Sequence, residues 1–247
     1  MISRRRLIGA GSGLLLAGCD RLDRSETFRG VLRSSEGLTM RAARVISDRN
    51  ALAREFGESD MSPIFRSNGT RMPNTSEYAT HLAERFANWR LTVDGMVARP
   101  LSIPIDAIRR MPLRTQITRH DCVEGWSAIG MWHGVPLSVL LDAAGISSRA
   151  KYVIFHCADR MGSVPYYESI DMIDAFHPQT ILAWGMNKGL LSVPHGAPLR
   201  LRVERQLGYK HAKYVQRIEA VQTLSGIHGG KGGYWEDKSD YEWYAGI

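Results

Sequence analysis

The sequence predicts a mixed α+β domain that is rich in β-strands. Three segments, residues 90–95, 117–123 and 152–159, show the alternating or continuous apolar pattern of strands bounded by turn residues. Short segments with apolar residues at helical spacing lie between them. Because 247 residues with 44% hydrophobic content are enough to bury a full core, we expect one globular domain behind an N-terminal leader.

The N-terminus has the features of an export signal, which we assign to residues 1–19. A twin arginine within residues 3–8 precedes the apolar residues 9–18, a stretch too short to span a bilayer. Residues 16–19 are typical of a bacterial lipobox, which predicts a lipid anchor at Cys19; the alternative is a plain cleaved signal in which Cys19 is incidental. Both alternatives predict a periplasmic protein. Because twin-arginine export carries folded proteins, the domain would fold, and take up any cofactor, before export.

The charge balance argues against a nucleic-acid partner. Of 32 basic and 25 acidic residues, three basic ones leave with the leader, so the remaining chain carries an excess of four positive charges. No basic run is interleaved with stacking aromatic residues, as a nucleic-acid surface would require. A mild positive charge does suit a pocket that binds anions.

Residues 20–58 are expected to form a polar tether and a short helix. Residues 20–50 are rich in Arg and Ser and lack a sustained apolar period, which favours an extended chain. Residues 47–57 have a Ser or Asp cap and a Gly stop, which favours a short amphipathic helix. The folded domain then spans residues 59–247.

Within the domain, local patterns predict the order of the elements. Pro136 suits the first turn of a helix that Gly145 stops. Residues 200–205 alternate charged and aliphatic side chains, the pattern of a half-exposed strand. The expected helices are residues 77–89, 105–110, 136–144 and 171–177, and the further strands are residues 181–184, 200–205 and 214–221.

One cysteine lies in polar surroundings at the end of a predicted strand. Cys122 follows His120 and Asp121 and precedes Glu124 and a Gly-Trp turn, whereas a packing cysteine would more often lie among Val, Leu and Ala. The residues alone leave three alternatives to a functional thiol. It could be an inert core cysteine, form a disulfide with Cys157, or join His120 and Cys157 in a zinc hydrolase site, although no zinc spacing is apparent.

Several stretches together resemble the sulfite oxidase family of molybdopterin enzymes. The resemblance runs from residue 60 to residue 224, in the family's order and at similar spacings. It is carried by Arg119 and by the stretches at residues 122–126, 132–137 and 195–203.

The resemblance implies a fold, a cofactor and a reaction. Residues 59–247 would form a β-rich, sulfite-oxidase-type molybdopterin-binding domain that performs two-electron oxo transfer at a molybdenum–molybdopterin cofactor. Cys122 would be the catalytic protein ligand of molybdenum, since a soft thiolate suits a thiophilic metal. A non-catalytic periplasmic binding domain of the same fold is the alternative.

The resemblance also implies which residues bind the cofactor. The cofactor ends in a phosphate, which paired Arg donors, a Lys charge and backbone amides can hold. The implied residues are Asn68, Arg71, Cys157, Asp159, His195, Arg200, Lys210, His211, Ala212 and Lys213.

The resemblance defines the substrate less closely than it defines the cofactor. Ser67 occupies the position of the family's substrate arginine, which weakens the assignment of sulfite. Arg66 or Arg71 is expected to supply an oxyanion contact from a shifted position, the alternative being that both are solvated loop charges. Tyr166, in an expected pocket loop, is a further substrate-binding residue. The expected substrate is a small oxyanion or a sulfoxide.

We expect the electrons to pass through a separate partner, a cytochrome or membrane haem protein. The sequence contains no Cys-x-x-Cys-His haem signal. It also ends where larger relatives add a dimerisation domain, so we expect a monomer. The Gly- and aromatic-rich residues 229–244 could cover a groove or dock a partner, and packing is the simpler expectation.

Overall fold

The structure is a computed structural model that describes residues 25–247. Two compact units are present, one ending at Asp48 and the other comprising Arg49–Ile247. The predicted export signal and lipobox, residues 1–19, lie outside the described residues. Within residues 25–247, no helix combines the length and hydrophobicity needed to cross a bilayer.

In the described part of the unit that ends at Asp48, residues 25–48, the chain forms one long helix, α1 (Glu26–Ile46). The hydroxyl of Ser25 caps it by accepting a hydrogen bond from the Phe28 N–H at 3.3 Å. The expectation of an extended tether is therefore wrong for this stretch. Its Arg, Leu, Met and Ala residues favour a helix intrinsically, and that preference outweighs the lack of a sustained apolar period.

The short helix expected at residues 47–57 is also wrong. Glu55 instead forms an isolated β-bridge with Thr118, and the Phe56 N–H donates to the Ile117 carbonyl at 2.9 Å. The segment is extended because these bonds satisfy a strand edge that a helix would leave open.

The second unit is built on two β-sheets. The strands are β1 (Arg90–Gly95), β2 (Leu101–Pro104), β3 (Arg114–Cys122), β4 (Trp126–Pro136), β5 (Tyr152–Met161), β6 (Val164–Asp171), β7 (Ile181–Met186), β8 (Gly189–Leu190), β9 (Arg200–Arg202) and β10 (Val215–Val221). One sheet has the order β2-β1-β10-β5-β6 and contains the parallel pair β1 and β10. The other has the order β3-β4-β7-β8, with β9 paired to β7. These sheets, together with separate short helices, confirm the predicted α+β class.

The helices of this unit are short; the first four lie close to predicted positions, whereas the last, in the Gly- and aromatic-rich tail, was not predicted. They are α2 (Ser76–Ala83), α3 (Ile105–Arg109), α4 (Leu137–Ala144), α5 (Met172–Ala175) and α6 (Tyr234–Ser239). Gly145 ends α4 in the left-handed conformation, with φ of 66°, as the Gly stop predicted. The first helix of the unit ends earlier than predicted because Arg85 and Phe86 adopt positive φ. Phe86 and Trp89 are therefore buried from a turn.

The strand predicted at residues 200–205 is not half-exposed, because every residue of β9 is buried. The fully buried Arg202 donates to Glu204 at 2.9 and 2.5 Å, and its guanidinium lies 4.2 Å from the centre of the Trp132 ring. The alternation of charged and aliphatic residues looks the same whether the charges face water or a buried ion pair. The sequence pattern therefore could not reveal this partner.

Candidate active site

A cavity of about 160 Å³ lies beside the turn between β3 and β4. The loop at residues 68–70, strand β5 and the segment at residues 208–213 also line it. Six residues singled out from the sequence are in its wall: Asn68, Cys122, Asp159, Tyr166, His211 and Lys213. The fold thus gathers predicted site residues that are up to 145 positions apart in the chain.

Cys122 is the last residue of β3, and a tight hairpin holds its thiol at the cavity. The Gly125 N–H donates to the Cys122 carbonyl at 3.0 Å, and Gly125 has a φ of 83°, which favours glycine. The thiol is 7% exposed, and the Asn68 amide nitrogen lies 3.7 Å from its sulfur. Burial raises the pKa of the Cys122 thiol, with the Glu124 backbone N–H opposing that shift. A raised pKa does not suit a nucleophile, whereas metal binding would deprotonate the same thiol.

Lys213 ties together the two loops on its side of the cavity. Its ammonium donates to the carbonyls of Asn68 at 2.6 Å, Pro194 at 3.0 Å, and Thr70. Burial, followed by the charge of Arg200, lowers the pKa of Lys213 to about 7. The side chain therefore places a weakly held proton at the wall of the cavity.

His195 and Arg200 do not line the cavity, but their hydrogen bonds connect segments around it. His195 donates from Nε2 to the Phe65 carbonyl at 3.1 Å, so its Nδ1 accepts from the Ser192 hydroxyl at 2.8 Å. Arg200 is 2% exposed and donates to the carbonyls of His195 at 3.1 Å and His211 at 3.5 Å. These bonds connect the loop at residues 192–196 with the segment that carries His211.

The polar groups of this region fit an anionic, hydrogen-bonding cofactor. The buried side-chain atoms without a hydrogen-bond partner in the described part of the chain include three from predicted cofactor-binding residues: Asp159 Oδ1, Arg200 Nε and His211 Nδ1. Because His211 donates from Nε2 to the Gln206 carbonyl at 3.0 Å, its Nδ1 is left as an acceptor. The hydrogen bonds of Arg200 and Lys213 go to neutral carbonyls, so a phosphate would compensate both charges.

Lys210 does not face the cavity, which corrects its expected contact with the cofactor. Its ammonium is fully buried and forms ion pairs with Glu236 at 2.7 Å and with Glu168. Burial, and then the carboxylate of Glu236, raise the pKa of Glu168 well above its usual range. The structure thus gives Lys210 two protein anions in place of a phosphate.

Cys157 and Ala212 are likewise part of the core. The Cys157 thiol is 4% exposed and lies 3.8 Å from the Phe155 carbonyl, and burial raises its pKa well above the usual value. Ala212 accepts from the Leu201 N–H at 2.8 Å and is also buried. Neither side chain lines the cavity, contrary to the expectation that Cys157 faces the cofactor.

Neither Arg66 nor Arg71, the arginines expected to contact substrate, lines the cavity. Arg66 and Arg71 are exposed, and Arg66 lines a separate surface depression next to Trp126. The Ser67 hydroxyl donates to the Pro194 carbonyl at 2.5 Å. Tyr166 does line the cavity, but it belongs to strand β6 and not to the expected loop.

Sequence reasoning missed several cavity residues: Thr70, Met161, Trp235 and Tyr241. Trp235 and Tyr241 belong to the Gly- and aromatic-rich tail, whose composition was the available signal. The tail packs against the domain, as expected, through the bond from the Tyr209 hydroxyl to the Glu242 carbonyl at 2.6 Å. Its contribution to the cavity depends on tertiary contacts that composition does not encode.

The free energy of unfolding of cofactor-free protein is expected to rise with pH between about 7 and 10.5 on account of Lys213. In this window the folded side chain has lost its proton, whereas the unfolded side chain, with the ordinary pKa of 10.5, keeps it. Because the unfolded state binds more protons, raising the pH favours the folded state. Urea titrations across this window would measure the slope, and Lys213→Met should remove it. An equal slope in the variant would contradict the assignment.

The alternative uses of the cysteines find no support in the geometry. Cys122 and Cys157 are both free thiols. Among residues 25–247, no group of three or more His, Cys, Asp and Glu side chains is placed to hold a metal ion. His120 Nδ1 accepts a hydrogen bond from the Arg202 guanidinium at 2.9 Å, so the proton of the neutral ring is on Nε2 and no lone pair is left for zinc.

Comparison with known proteins gives a consistent result. The model of a family described as "Oxidoreductase molybdopterin binding domain" matches residues 78–227. A putative protein-methionine-sulfoxide reductase subunit, YedZ1, of Azospira oryzae is 35% identical over 98% of this chain and 86% of its own length. The protein-methionine-sulfoxide reductase catalytic subunit MsrP of Campylobacter jejuni is 30% identical over 88% of this chain and 77% of its own length.

Among solved structures, the sulfane dehydrogenase SoxCD of Paracoccus pantotrophus superposes with a TM-score of 0.51 at 26% identity. The match covers 56% of this chain and 39% of that chain. The resemblance deduced from the cysteine motif is thereby confirmed. The chain belongs to the oxidoreductase molybdopterin-binding family and is a molybdopterin-dependent oxidoreductase of the sulfite oxidase type.

Proposed function

We propose that this protein reduces methionine sulfoxide, with molybdenum as the metal of its molybdopterin and Cys122 as the protein ligand of that metal. The observation that carries the proposal is the free Cys122 thiol in the wall of the cavity, with the Asn68 amide 3.7 Å from its sulfur. The names of the Azospira oryzae and Campylobacter jejuni relatives support the choice of methionine sulfoxide. The overall reaction consumes two electrons and two protons and yields a thioether and water.

The chain holds the cofactor through groups around the cavity. When bound, the cofactor supplies two-electron oxo transfer at its metal. Arg200 and Lys213 provide positive charge for the phosphate, and His211 Nδ1 accepts a hydrogen bond. Asp159 Oδ1 can hold a proton near neutral pH, because burial raises the pKa of Asp159 to about 6. This carboxyl group can therefore help to deliver a proton to the departing oxygen.

The surroundings of Ser67 favour a neutral sulfoxide over sulfite. The Ser67 hydroxyl is bonded to the Pro194 carbonyl, and Arg66 and Arg71 are exposed. An anionic substrate would lose the arginine that the family uses at the Ser67 position. A sulfoxide is polar but uncharged and needs no such partner.

Export and electron supply complete the proposal. The twin arginine within residues 3–8 supports delivery to the periplasm, and residues 16–19 support acylation at Cys19. The Campylobacter jejuni relative is named a catalytic subunit, which supports a separate electron-donating partner for this chain, such as a membrane haem protein.

The test is metal analysis and a substrate comparison on protein made in a molybdenum-competent host. We expect about one molybdenum per chain, in keeping with one cysteine ligand. Reduction of N-acetylmethionine sulfoxide by a reduced viologen should exceed sulfite oxidation roughly 100-fold or more in kcat/KM. Protein that lacks molybdenum and pterin, or that turns over sulfite faster than the sulfoxide, would overturn the proposal.

A further inference from the structure

The C-terminal segment, residues 229–247, follows the part of the chain that the family model matches, which ends at residue 227. It nevertheless supplies Trp235 and Tyr241 to the wall of the cavity that contains Cys122. The shared family domain therefore does not by itself complete the cavity of this protein. A wall supplied from outside the family domain is a place where substrate choice can be set.

Trp235 and Tyr241 belong to a connected group of aromatic rings. Their ring centres are 5.8 Å apart with planes inclined by 25°, and Tyr241 meets Tyr209 edge-on at 5.1 Å. Tyr209, Met161 and Val123 line the same cavity. These residues give it an apolar, polarisable surface in addition to its polar groups.

Contacts within the protein hold the tail in place. The buried carboxylate of Glu236, next to Trp235, is paired with the Lys210 ammonium at 2.7 Å. The Leu207 N–H donates to the Ala245 carbonyl at 2.9 Å, and the Ile247 N–H donates to the Arg205 carbonyl at 3.1 Å. A preorganised wall reduces the entropy lost when a flexible side chain docks against it.

We infer that Trp235 and Tyr241 bind the methylene arm next to the sulfur of the sulfoxide substrate and thereby set a preference for methionine-type sulfoxides. This inference rests on the proposed function. Methionine sulfoxide carries a methylene arm and a methyl group on its sulfur, and aromatic rings attract these apolar groups. The same rings attract the soft thioether sulfur of the product. Dimethyl sulfoxide lacks the methylene arm, so it gains less from the same rings.

The test measures kinetics, cofactor content and product binding in Trp235→Ala and Tyr241→Ala. KM for N-acetylmethionine sulfoxide should rise roughly tenfold in each, with a smaller rise for dimethyl sulfoxide and molybdenum and pterin contents equal to wild type. Trp235→Phe should recover most of the wild-type KM because it restores an aromatic face. Lys238→Ala, on the exposed side of α6, is the matched control and should leave KM unchanged.

Two outcomes would overturn the inference: an unchanged ratio of the two KM values in both alanine variants, or a loss of pterin that accounts for the kinetic defect. Calorimetric binding of N-acetylmethionine, the thioether product, tests the wall without turnover. If wild-type protein binds this product and the alanine variants do not, the binding role of Trp235 and Tyr241 is supported even if sulfoxide reduction is not observed. If wild-type protein reduces the sulfoxide and the variants match it in KM and in product binding, the inference about Trp235 and Tyr241 is wrong and the proposed function stands.

Discussion

Replacing Cys122 with alanine is expected to lower sulfoxide turnover by at least about three orders of magnitude while leaving the fold intact. The thiol is the only sulfur among the described cysteines that lines the cavity. Its removal would take away the proposed protein ligand of molybdenum. The hairpin itself should persist, because the bond from the Gly125 N–H to the residue 122 carbonyl does not use the side chain. Turnover, molybdenum per chain and thermal unfolding are the measurements.

The second cysteine provides the control. Cys157 is free and buried but does not line the cavity, and it bonds weakly to the Phe155 carbonyl. Cys157→Ala should keep turnover close to wild type and lose roughly 1 kcal/mol of unfolding free energy, as a small core deletion does. Equal loss of activity in the two variants would show that a general disturbance of the core, and not a ligand role, explains Cys122→Ala. Full activity in Cys122→Ala would remove the proposed mechanism.

The fold was predictable where local patterns coincide with tertiary demands. The alternation in β1 (Arg90–Gly95) and the Gly145 stop of α4 describe the structure directly, since one face of each element packs on the core. The position of Cys122 at the end of a strand was predictable for the same reason. The failure at residues 47–57 arose because its decisive partners, Ile117 and Thr118, lie far along the chain.

The residues of the site were predictable where the family resemblance extends to them. Asn68, Cys122 and Lys213 line one cavity, as the resemblance implied that they would lie near one cofactor. The motif could not show which basic residues already have anionic partners inside the protein. Lys210 and Lys213 are three positions apart, yet the first bonds two carboxylates and the second bonds carbonyls at the cavity. Only the positions of Glu168 and Glu236, 42 and 26 residues away, distinguish them.

Lys210→Met is accordingly expected to destabilise the folded protein more than Lys213→Met does. It would leave the carboxylates of Glu168 and Glu236 buried without their cation, a situation that costs roughly 3–5 kcal/mol of unfolding free energy. Chains that still fold should keep their pterin, because the Lys210 ammonium does not reach the cavity. Lys213→Met removes a charge from the cavity wall and should instead lower pterin content, with a smaller loss of stability.

A second substitution isolates the electrostatic cause. Glu168→Gln in the Lys210→Met background removes one of the two stranded carboxylates, so it should recover part of the lost stability even though Glu168→Gln alone is destabilising. Urea unfolding of the single and double variants gives the coupling energy, and pterin fluorescence after denaturation gives the cofactor content. Additive stability losses would show that Lys210 acts through packing. A greater loss of pterin in Lys210→Met than in Lys213→Met would restore Lys210 to the cofactor site and show that its ion pairs break when the cofactor binds.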